Sequence, residues 1–279
     1  MNYVCFNGNF LSSDEPVLPA ANRGYRYGDG LFETMKLVRG NILLEQLHFK
    51  RLFAGLDLLK MKLPGSVTPE RLKTDIISLC RKNKCENLAR VRLSVSRGIG
   101  GLYDDPGKAE YLVESWPLDE TMNRLNENGL VTGIFPGARK SCDLFSGLKS
   151  ASFLPYVMAS LYAKEQKWND CFVLNTAGNI ADTTIANLFI IKNGQICTPS
   201  LSEGCVAGVM REYLLTKLRE EGRIVTETRI SPADLLDADE VFLTNAIRGI
   251  RWVGRFGDTH YKNDLSGEIY DRYVKTIFT

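Results

Sequence analysis

The sequence predicts a mixed α/β fold in which antiparallel hairpins dominate. Three observations lead to this prediction. Turn-forming Asn and Gly residues separate short apolar runs, two longer stretches carry apolar residues at helical spacing, and strands and helices do not alternate as they would in a doubly wound parallel sheet. With 279 residues, the chain is long enough for one large domain or two medium ones.

The first half opens with two hairpins and continues with two helices. One hairpin turns at Asn7-Gly8, and the second turns at residues 39–41. Apolar spacing predicts a helix over about residues 45–60. A second helix is predicted over about residues 69–82, with Thr68 as its N-cap and a proline in its first turn. Two strands, ARVRLSVSRG and AEYLVESW, then complete an N-terminal sheet.

A polar stretch divides the chain in two. Residues 119–128 lack apolar periodicity and predict a linker between an N-terminal domain, residues 1–118, and a larger C-terminal domain, residues 129–279.

The second half is predicted to begin with a strand in GLVTGIFPG and a helix near Pro155. Two hairpins follow, with turns at residues 177–179 and 193–194. A helix over about residues 206–220, which ends at Gly222, and strands around Ile224 and Val241 come next.

Composition narrows the classes of function. The 35 Lys and Arg residues nearly balance 33 Asp and Glu residues, and the net charge of +2 gives no field that would attract nucleic acid or an acidic membrane. Seven cysteines without a CxxC pair indicate reduced thiols in a cytoplasmic protein, and we expect neither an export signal nor a membrane anchor. Small molecules are therefore the expected partners.

Two histidines exclude a His-rich zinc site and argue against a Ser-His-Asp triad, so no metal is expected. His48 lies in an apolar helical pattern and is expected to be structural. Two glycine clusters, RYGDGLFE and SRGIGGLYD, fail to complete G-x-G-x-x-G, because Glu33 and Tyr103 occupy the place of the last glycine. A dinucleotide site is therefore rejected.

Two features indicate a bound anion and a nucleophilic amine. The helix start in EGCVAGVMREYLL offers the N–H groups of Val209 and Met210 to an anion, although an ordinary glycine turn would give the same pattern. Lys149 stands among apolar and small residues in LFSGLKSASFLP. Desolvation there would lower the pKa of its amine and let it attack a carbonyl, whereas most lysines are solvated surface charges.

Several segments together resemble the class IV (fold-type IV) aminotransferases, which use pyridoxal 5'-phosphate (PLP) and include D-amino-acid and branched-chain aminotransferases and aminodeoxychorismate lyase. The matching segments, in the order of that family, are RGYRYGDGLFET, LHFKRL, SGLKS, IADTTIANLFI, SEGCVAGVMRE and DEVFLTNA. The resemblance covers nearly the whole chain. It implies a small N-terminal α/β domain and a larger barrel-like C-terminal domain that binds PLP, in a homodimer.

The resemblance also implies roles for individual residues. Lys149 would hold PLP as a Schiff base and move a proton between the substrate Cα and C4′ of the cofactor. Arg51 would bind the cofactor phosphate, since a guanidinium can reach two oxygens in parallel. The N–H groups of Val209 and Met210 would complete that phosphate site.

Two positions depart from the family pattern. Asp182 stands where relatives usually place a glutamate that keeps the pyridine nitrogen protonated, and it could instead only bond turn N–H groups. Ala246 stands where many aminotransferases place a phosphate-binding threonine, which resembles the lyase branch.

Three residues are candidates for the substrate carboxylate. They are Tyr27, Arg92 and Arg97. Strand alternation would put the two arginines on opposite faces, so that one of them is a surface charge.

These features predict transfer of an amino group between an amino acid and a 2-oxo acid. The alternative within the family is an aminodeoxychorismate lyase that releases pyruvate and 4-aminobenzoate. A non-catalytic PLP-binding protein is a third hypothesis, which rests on the departures at Asp182 and Ala246.

Overall fold

The structure is a computed structural model that describes residues 2–104 and 107–278. The chain forms two compact units. Unit 1 comprises Met1–Met122 and Lys149–Ser152, and unit 2 comprises Asn123–Leu148 and Phe153–Thr279. The predicted linker, residues 119–128, contains a short 3-10 helix at Glu120–Asn123, and the change from unit 1 to unit 2 falls at the end of this helix.

Unit 1 is built on a six-stranded sheet. Its strands are β1 (Tyr3–Phe6), β2 (Asn9–Ser12), β3 (Gly30–Val38), β4 (Asn41–Ile42), β5 (Leu88–Ser96) and β6 (Glu110–Pro117). They are ordered β2-β1-β6-β5-β3-β4, and every neighbouring pair is antiparallel. The two predicted hairpins, β1–β2 and β3–β4, are confirmed.

Three helices belong to unit 1: α1 (Arg23–Tyr27), α2 (Glu45–Leu58) and α3 (Pro69–Lys82). The prediction for α3 is confirmed at both ends, and the Thr68 hydroxyl accepts from the Arg71 amide at 3.2 Å. Helix α2 packs on β3, and α3 packs on β1 and β6. Residues such as Met35, Leu72 and Leu93 are fully buried there, so one face of the sheet and the two helices enclose the core of unit 1.

A segment distant in sequence completes unit 1. The Phe32 amide donates to the Lys149 carbonyl at 2.9 Å, and the Ala151 amide donates to the Gly30 carbonyl at 2.8 Å. These bonds pair Lys149–Ser152 with the start of β3. Lys149 is therefore fixed by backbone hydrogen bonds to the strand that carries Phe32 and Glu33.

Unit 2 is built on a nine-stranded sheet. Its strands are β7 (Leu130–Ile134), β8 (Asp170–Leu174), β9 (Ile180–Thr183), β10 (Asn187–Lys192), β11 (Gln195–Pro199), β12 (Val225–Thr228), β13 (Glu240–Asn245), β14 (Gly249–Phe256) and β15 (Thr259–His260). The order is β12-β11-β10-β13-β14-β7-β8-β9, with β15 paired to β14. Phe172, Leu188, Leu243 and Val253, from four of these strands, share one apolar cluster. The sheet therefore curls around that cluster as a half-barrel.

The helices of unit 2 are α4 (Leu154–Glu165), α5 (Val209–Glu220), α6 (Pro232–Leu236), α7 (Asp264–Ile269) and α8 (Lys275–Phe278), with a π-helical turn at Tyr270–Val274 between the last two. The predicted helix near Pro155 and the two predicted hairpins, β8–β9 and β10–β11, are confirmed. Among residues 2–104 and 107–278, no helix combines the length and the apolar character needed to cross a membrane.

The predicted start of α5 at about residue 206 is wrong by three residues. Gly204 has a left-handed φ of +85°, and Gly208 is the extended N-cap. Before the helix, the Val206 amide donates to Asp182 at 3.0 Å, and the Ala207 amide donates to the Gly147 carbonyl at 3.0 Å. These external acceptors hold residues 205–208 outside the helix.

Candidate active site

Lys149 lies against an aromatic ring of its own unit. Its Nζ is 4.6 Å from the ring centroid of Phe32, and Cζ of Arg92 is 3.8 Å from the same centroid. Phe32 is buried, whereas Lys149 is half-buried. The ring therefore holds an amine and a guanidinium close together through cation–π contacts.

Arg92 and Arg97, the two arginines that are candidates for binding the substrate carboxylate, have different contacts. Burial lowers the pKa of Arg92, and the nearby carboxylate of Glu114 offsets this only in part. An additional anion would offset the cost of burying this guanidinium. Arg97 donates to Asp29 at 2.8 Å and to the Leu59 carbonyl at 2.8 Å. Such contacts indicate that Arg97 fixes the loop around Asp29.

The expectation that either Arg92 or Arg97 is a surface charge is wrong. Strand β5 ends at Ser96, so alternation along the strand does not reach Arg97. The Arg97 side chain is only 14% exposed, and Arg92 is half-buried against Phe32. Tyr27, the third candidate, is exposed at the end of α1.

Arg51 belongs to a buried ionic cluster between β3 and α2. Its Nε donates to Oε1 of Glu33 at 2.8 Å, and its Nη2 donates to Oε2 at 2.5 Å. His48 Nδ1 lies 2.6 Å from the same Oε2. A phosphate role for Arg51 would use the edge of the guanidinium that faces away from Glu33, and it stays a prediction.

Charge neutralisation sets the protonation states in this cluster. Burial by itself would raise the pKa of Glu33, but the charge of Arg51 and hydrogen bonds from His48 and Arg51 outweigh it and lower the pKa to about 2. Burial lowers the pKa of His48, although Glu33 opposes this effect. His48 is thus a neutral donor at neutral pH, and its Nε2 has no hydrogen-bond partner among the described residues. The expected structural role of His48 agrees with these contacts.

In unit 2, Asp182 is a buried carboxylate on β9 with three donors. Tyr156 Oη lies 2.9 Å from Oδ2 and 3.1 Å from Oδ1. Lys140 Nζ lies 3.3 Å from Oδ2, and the Val206 amide donates to Oδ2 at 3.0 Å. Burial and then the charge of Asp182 raise the pKa of Tyr156, so the phenol keeps its proton and donates it. Asp182 is therefore more than a capping residue of a turn.

The start of α5 presents backbone N–H groups and has a glycine at its N-cap. Val209 and Met210 occupy its first turn, where a helix leaves N–H groups without intrahelical acceptors. A Cβ on Gly208 would overlap Oδ1 of Asn187, whose Nδ2 donates to the Val206 carbonyl at 2.8 Å. Glycine is therefore required at the N-cap, and the residues before the helix are held by Asn187 and Asp182.

The second departure, Ala246, lies in the turn between β13 and β14. Asn245 Oδ1 accepts from the amides of Ile247 at 3.0 Å and Arg248 at 2.8 Å, which closes the turn around Ala246. The methyl group of Ala246 cannot donate a hydrogen bond, so a side-chain bond from this position to a phosphate is excluded.

Sequence reasoning missed Glu33, Tyr156 and Lys140 as parts of these clusters. Tyr156 and Asp182 are separated by 26 positions, and Lys140 and Asp182 by 42. No local spacing links such pairs. The glutamate in the mostly apolar strand GLFETMKLV was a signal that could have identified Glu33, because a carboxylate buried in such a strand needs a cationic partner.

The described residues thus include a half-buried lysine in unit 1, and a buried carboxylate and a helix start suited to an anion in unit 2. The family model for amino-transferase class IV matches residues 30–256. The chain belongs to this family, and its cofactor is PLP.

Curated relatives cover almost the whole chain. Aminodeoxychorismate lyase of Vibrio harveyi is 29% identical over 89% of this chain and 90% of the relative. A protein of Methanocaldococcus jannaschii, provisionally named a branched-chain-amino-acid aminotransferase, is 28% identical over 95% of this chain and 92% of the relative.

Solved structures support the fold. The branched-chain aminotransferase of Thermoproteus uzoniensis matches with a TM-score of 0.90 at 19% identity, over 99% of this chain and 95% of that protein. The fold is fold-type IV, as the sequence predicts.

The residues present fit PLP. Asp182 is a carboxylate of the kind that pairs with a protonated pyridine nitrogen, and the α5 start supplies N–H groups suited to a phosphate. Among the described residues, no group of three or more His, Cys, Asp or Glu side chains is arranged to hold a metal ion.

Proposed function

We propose that the protein transfers an amino group between an amino acid and a 2-oxo acid, with PLP held by Lys149. The observation that carries this proposal is the arrangement around Phe32, where the Lys149 amine and the Arg92 guanidinium lie against one ring. An amino acid needs a base near its Cα and a cation near its carboxylate, and these two groups supply both.

Bound PLP supplies an electron sink for the electrons left at the substrate Cα when its proton departs. Lys149 would hold the cofactor and would carry the proton between the substrate Cα and C4′. Asp182 would accept from the pyridine nitrogen and favour its protonated form, while the N–H groups of Val209 and Met210 would donate to the phosphate. Arg51 would add a positive charge for the phosphate, and Arg92 would bind the substrate carboxylate.

We further propose a cytoplasmic homodimer. The homodimer is supported by the exposed face of α4, where Leu154, Val157, Met158 and Leu161 recur at helical spacing. Seven free cysteines support a reducing compartment, since five of them are buried without forming a disulfide within the described residues: Cys5, Cys80, Cys85, Cys171 and Cys205. Light scattering should give twice the chain mass, and Leu161→Glu should shift it toward the monomer.

A second function is favoured by two observations. Ala246 removes a possible phosphate donor that many aminotransferases have, and the relative from Vibrio harveyi is named as a lyase. The alternative proposal is therefore elimination of pyruvate from aminodeoxychorismate to leave 4-aminobenzoate, with Lys149 again moving the proton.

The visible absorbance spectrum of the PLP-loaded protein tests the proposal. The wild type should show a visible band that Lys149→Ala abolishes, whereas the matched control Lys164→Ala, at the exposed end of α4, should retain it. Collapse of the band with an L- or D-amino acid, and release of the 2-oxo acid, would support transamination and give its chirality. Formation of 4-aminobenzoate and pyruvate with no amino-acid response would support the lyase. A stable band without turnover of any substrate would indicate a non-catalytic PLP-binding protein.

A further inference from the structure

Asp182 in this chain is held by an unusually complete set of donors. Tyr156 from α4, Lys140 from the segment after β7 and the Val206 amide before α5 all approach Oδ2, at 2.9, 3.3 and 3.0 Å. Three separate parts of unit 2 therefore converge on one carboxylate oxygen.

The two carboxylate oxygens differ in what they can still accept. Oδ2 has three donors, which exceeds the two lone pairs that lie in the carboxylate plane. Among the described residues, the donor seen at Oδ1 is the shared Tyr156 hydroxyl, at the longer distance of 3.1 Å. Oδ1 consequently retains the capacity to accept one more strong hydrogen bond.

The neighbours of Tyr156 prevent its hydroxyl from turning away. The Tyr156 ring is 7% exposed and packs on Phe153 at 4.5 Å between centroids. Lys140 Nζ lies 5.2 Å from the centre of the same ring, so one cation contacts both the phenol ring and the carboxylate. The Asp182 side chain is 3% exposed and the Lys140 side chain 13%, so water competes little with these contacts.

We propose that Tyr156 and Lys140 are positioning residues that fix the shortened Asp182 carboxylate so that Oδ1 accepts from the pyridine nitrogen of the cofactor. This inference rests on the proposed function. An aspartate has a shorter reach than a glutamate, so its carboxylate can meet the ring nitrogen only in a narrow range of orientations. Tyr156 and Lys140 hold Oδ2 and so fix the orientation of Oδ1.

An analogue of PLP that lacks the ring nitrogen tests the proposed contact between Asp182 and that nitrogen. In 1-deaza-PLP the ring nitrogen is replaced by C–H, while the aldehyde and the phosphate are unchanged. The ratio of the two dissociation constants, analogue over PLP, therefore reports the pyridine contact without requiring turnover. Both ligands should be titrated into apoprotein by quenching of intrinsic fluorescence.

For the wild type we expect PLP to bind about 10- to 100-fold more tightly than the analogue, the range for a hydrogen bond between charged groups. Tyr156→Phe retains the ring and removes only the hydroxyl, and Lys140→Met retains the aliphatic chain. Each should lower the ratio by about tenfold, which is the effect of losing an outer partner that orients a ligand. Asp182→Asn should lower the ratio further.

Matched controls separate positioning from general damage. Tyr162→Phe removes a hydroxyl from the same helix, where the ring packs on Phe135 and Trp168, and Lys164→Met removes an amine near the helix end. Both should retain the wild-type ratio. A purely structural role for Tyr156 or Lys140 would weaken PLP and the analogue equally and leave the ratio unchanged, and that result would overturn the inference.

The outcomes distinguish the inference from the function on which it rests. If the wild type binds neither ligand, the proposed function fails. If it binds both equally, or if Asp182→Asn retains the preference for PLP, amino-group transfer with PLP held by Lys149 still stands, and the pyridine contact assigned to Asp182, Tyr156 and Lys140 is wrong. Near-ultraviolet circular dichroism of each variant confirms that the folded state is the same.

Discussion

Substitution of Glu33 by glutamine should destabilise the protein by about 3 kcal/mol at neutral pH. The Glu33 pKa falls from 4.5 to about 2 in the folded chain, and at about 1.4 kcal/mol per pH unit this difference corresponds to about 3 kcal/mol of stability from the ionised form. The Glu33 side chain is 2% exposed, so solvent screening reduces this value little. The amide of Glu33→Gln keeps the shape but removes the negative charge that Nε and Nη2 of Arg51 contact.

The measurement is equilibrium unfolding of the full apoprotein in guanidinium chloride, for the wild type, Glu33→Gln and the control Glu45→Gln. Glu45 also pairs with a lysine, Lys73, at 2.8 Å, but these side chains are 28% and 42% exposed. We expect the control to lose less than about 1 kcal/mol, as is usual for surface ion pairs.

The pH dependence gives a second, independent test. A lowered carboxyl pKa contributes stability that is fully present above the unfolded value of 4.5 and is lost as the pH falls through about 2. The wild type should therefore lose this contribution between those pH values, and Glu33→Gln should lack that part of the loss. A variant within about 1 kcal/mol of the wild type at neutral pH, with the same acid dependence, would refute the assigned energy of this cluster.

Two further predictions concern packing and protonation. His48 has a pKa below its ordinary value of 6.5, so the unfolded chain takes up the proton first. Stability should fall by up to about 1.4 kcal/mol per pH unit as the pH drops below that value, and His48→Gln should abolish this slope in denaturant titrations. A Cβ at Gly133 would overlap the Trp168 ring, so Gly133→Ala should cost about 1–3 kcal/mol and lower the thermal midpoint. Gly267→Ala, in open space on α7, is the control and should not lower it. An unchanged midpoint for Gly133→Ala would contradict the packing argument.

The local elements were largely predictable because their signals lie within a few residues. The Asn7-Gly8 turn has two left-handed φ values, which suit a tight hairpin, and Thr68 followed by Pro69 marks the start of α3. Helix α5 starts later than predicted because the Val206 amide donates to Asp182, which lies on β9. The residues around Val206 contain no signal for an acceptor so far away in the sequence.

The candidate site also combines features that local sequence predicts with contacts that it does not predict. The chemical nature of Lys149 and Asp182 could be inferred from the family motifs around them. The partners of Asp182 could not, since Tyr156 and Lys140 acquire their importance only through distances of about 3 Å across elements.

The sequence alone determined the family, the cofactor and the order of most helices and strands, because these depend on residue type and short-range spacing. Only the tertiary structure decided that Lys149 joins the strand carrying Phe32, that Arg51 is bound by a buried Glu33, and that Arg97 is fixed by Asp29. Each of these facts depends on which distant segment or side chain packs against the residue. That is a property of three-dimensional packing, and short-range spacing does not contain it.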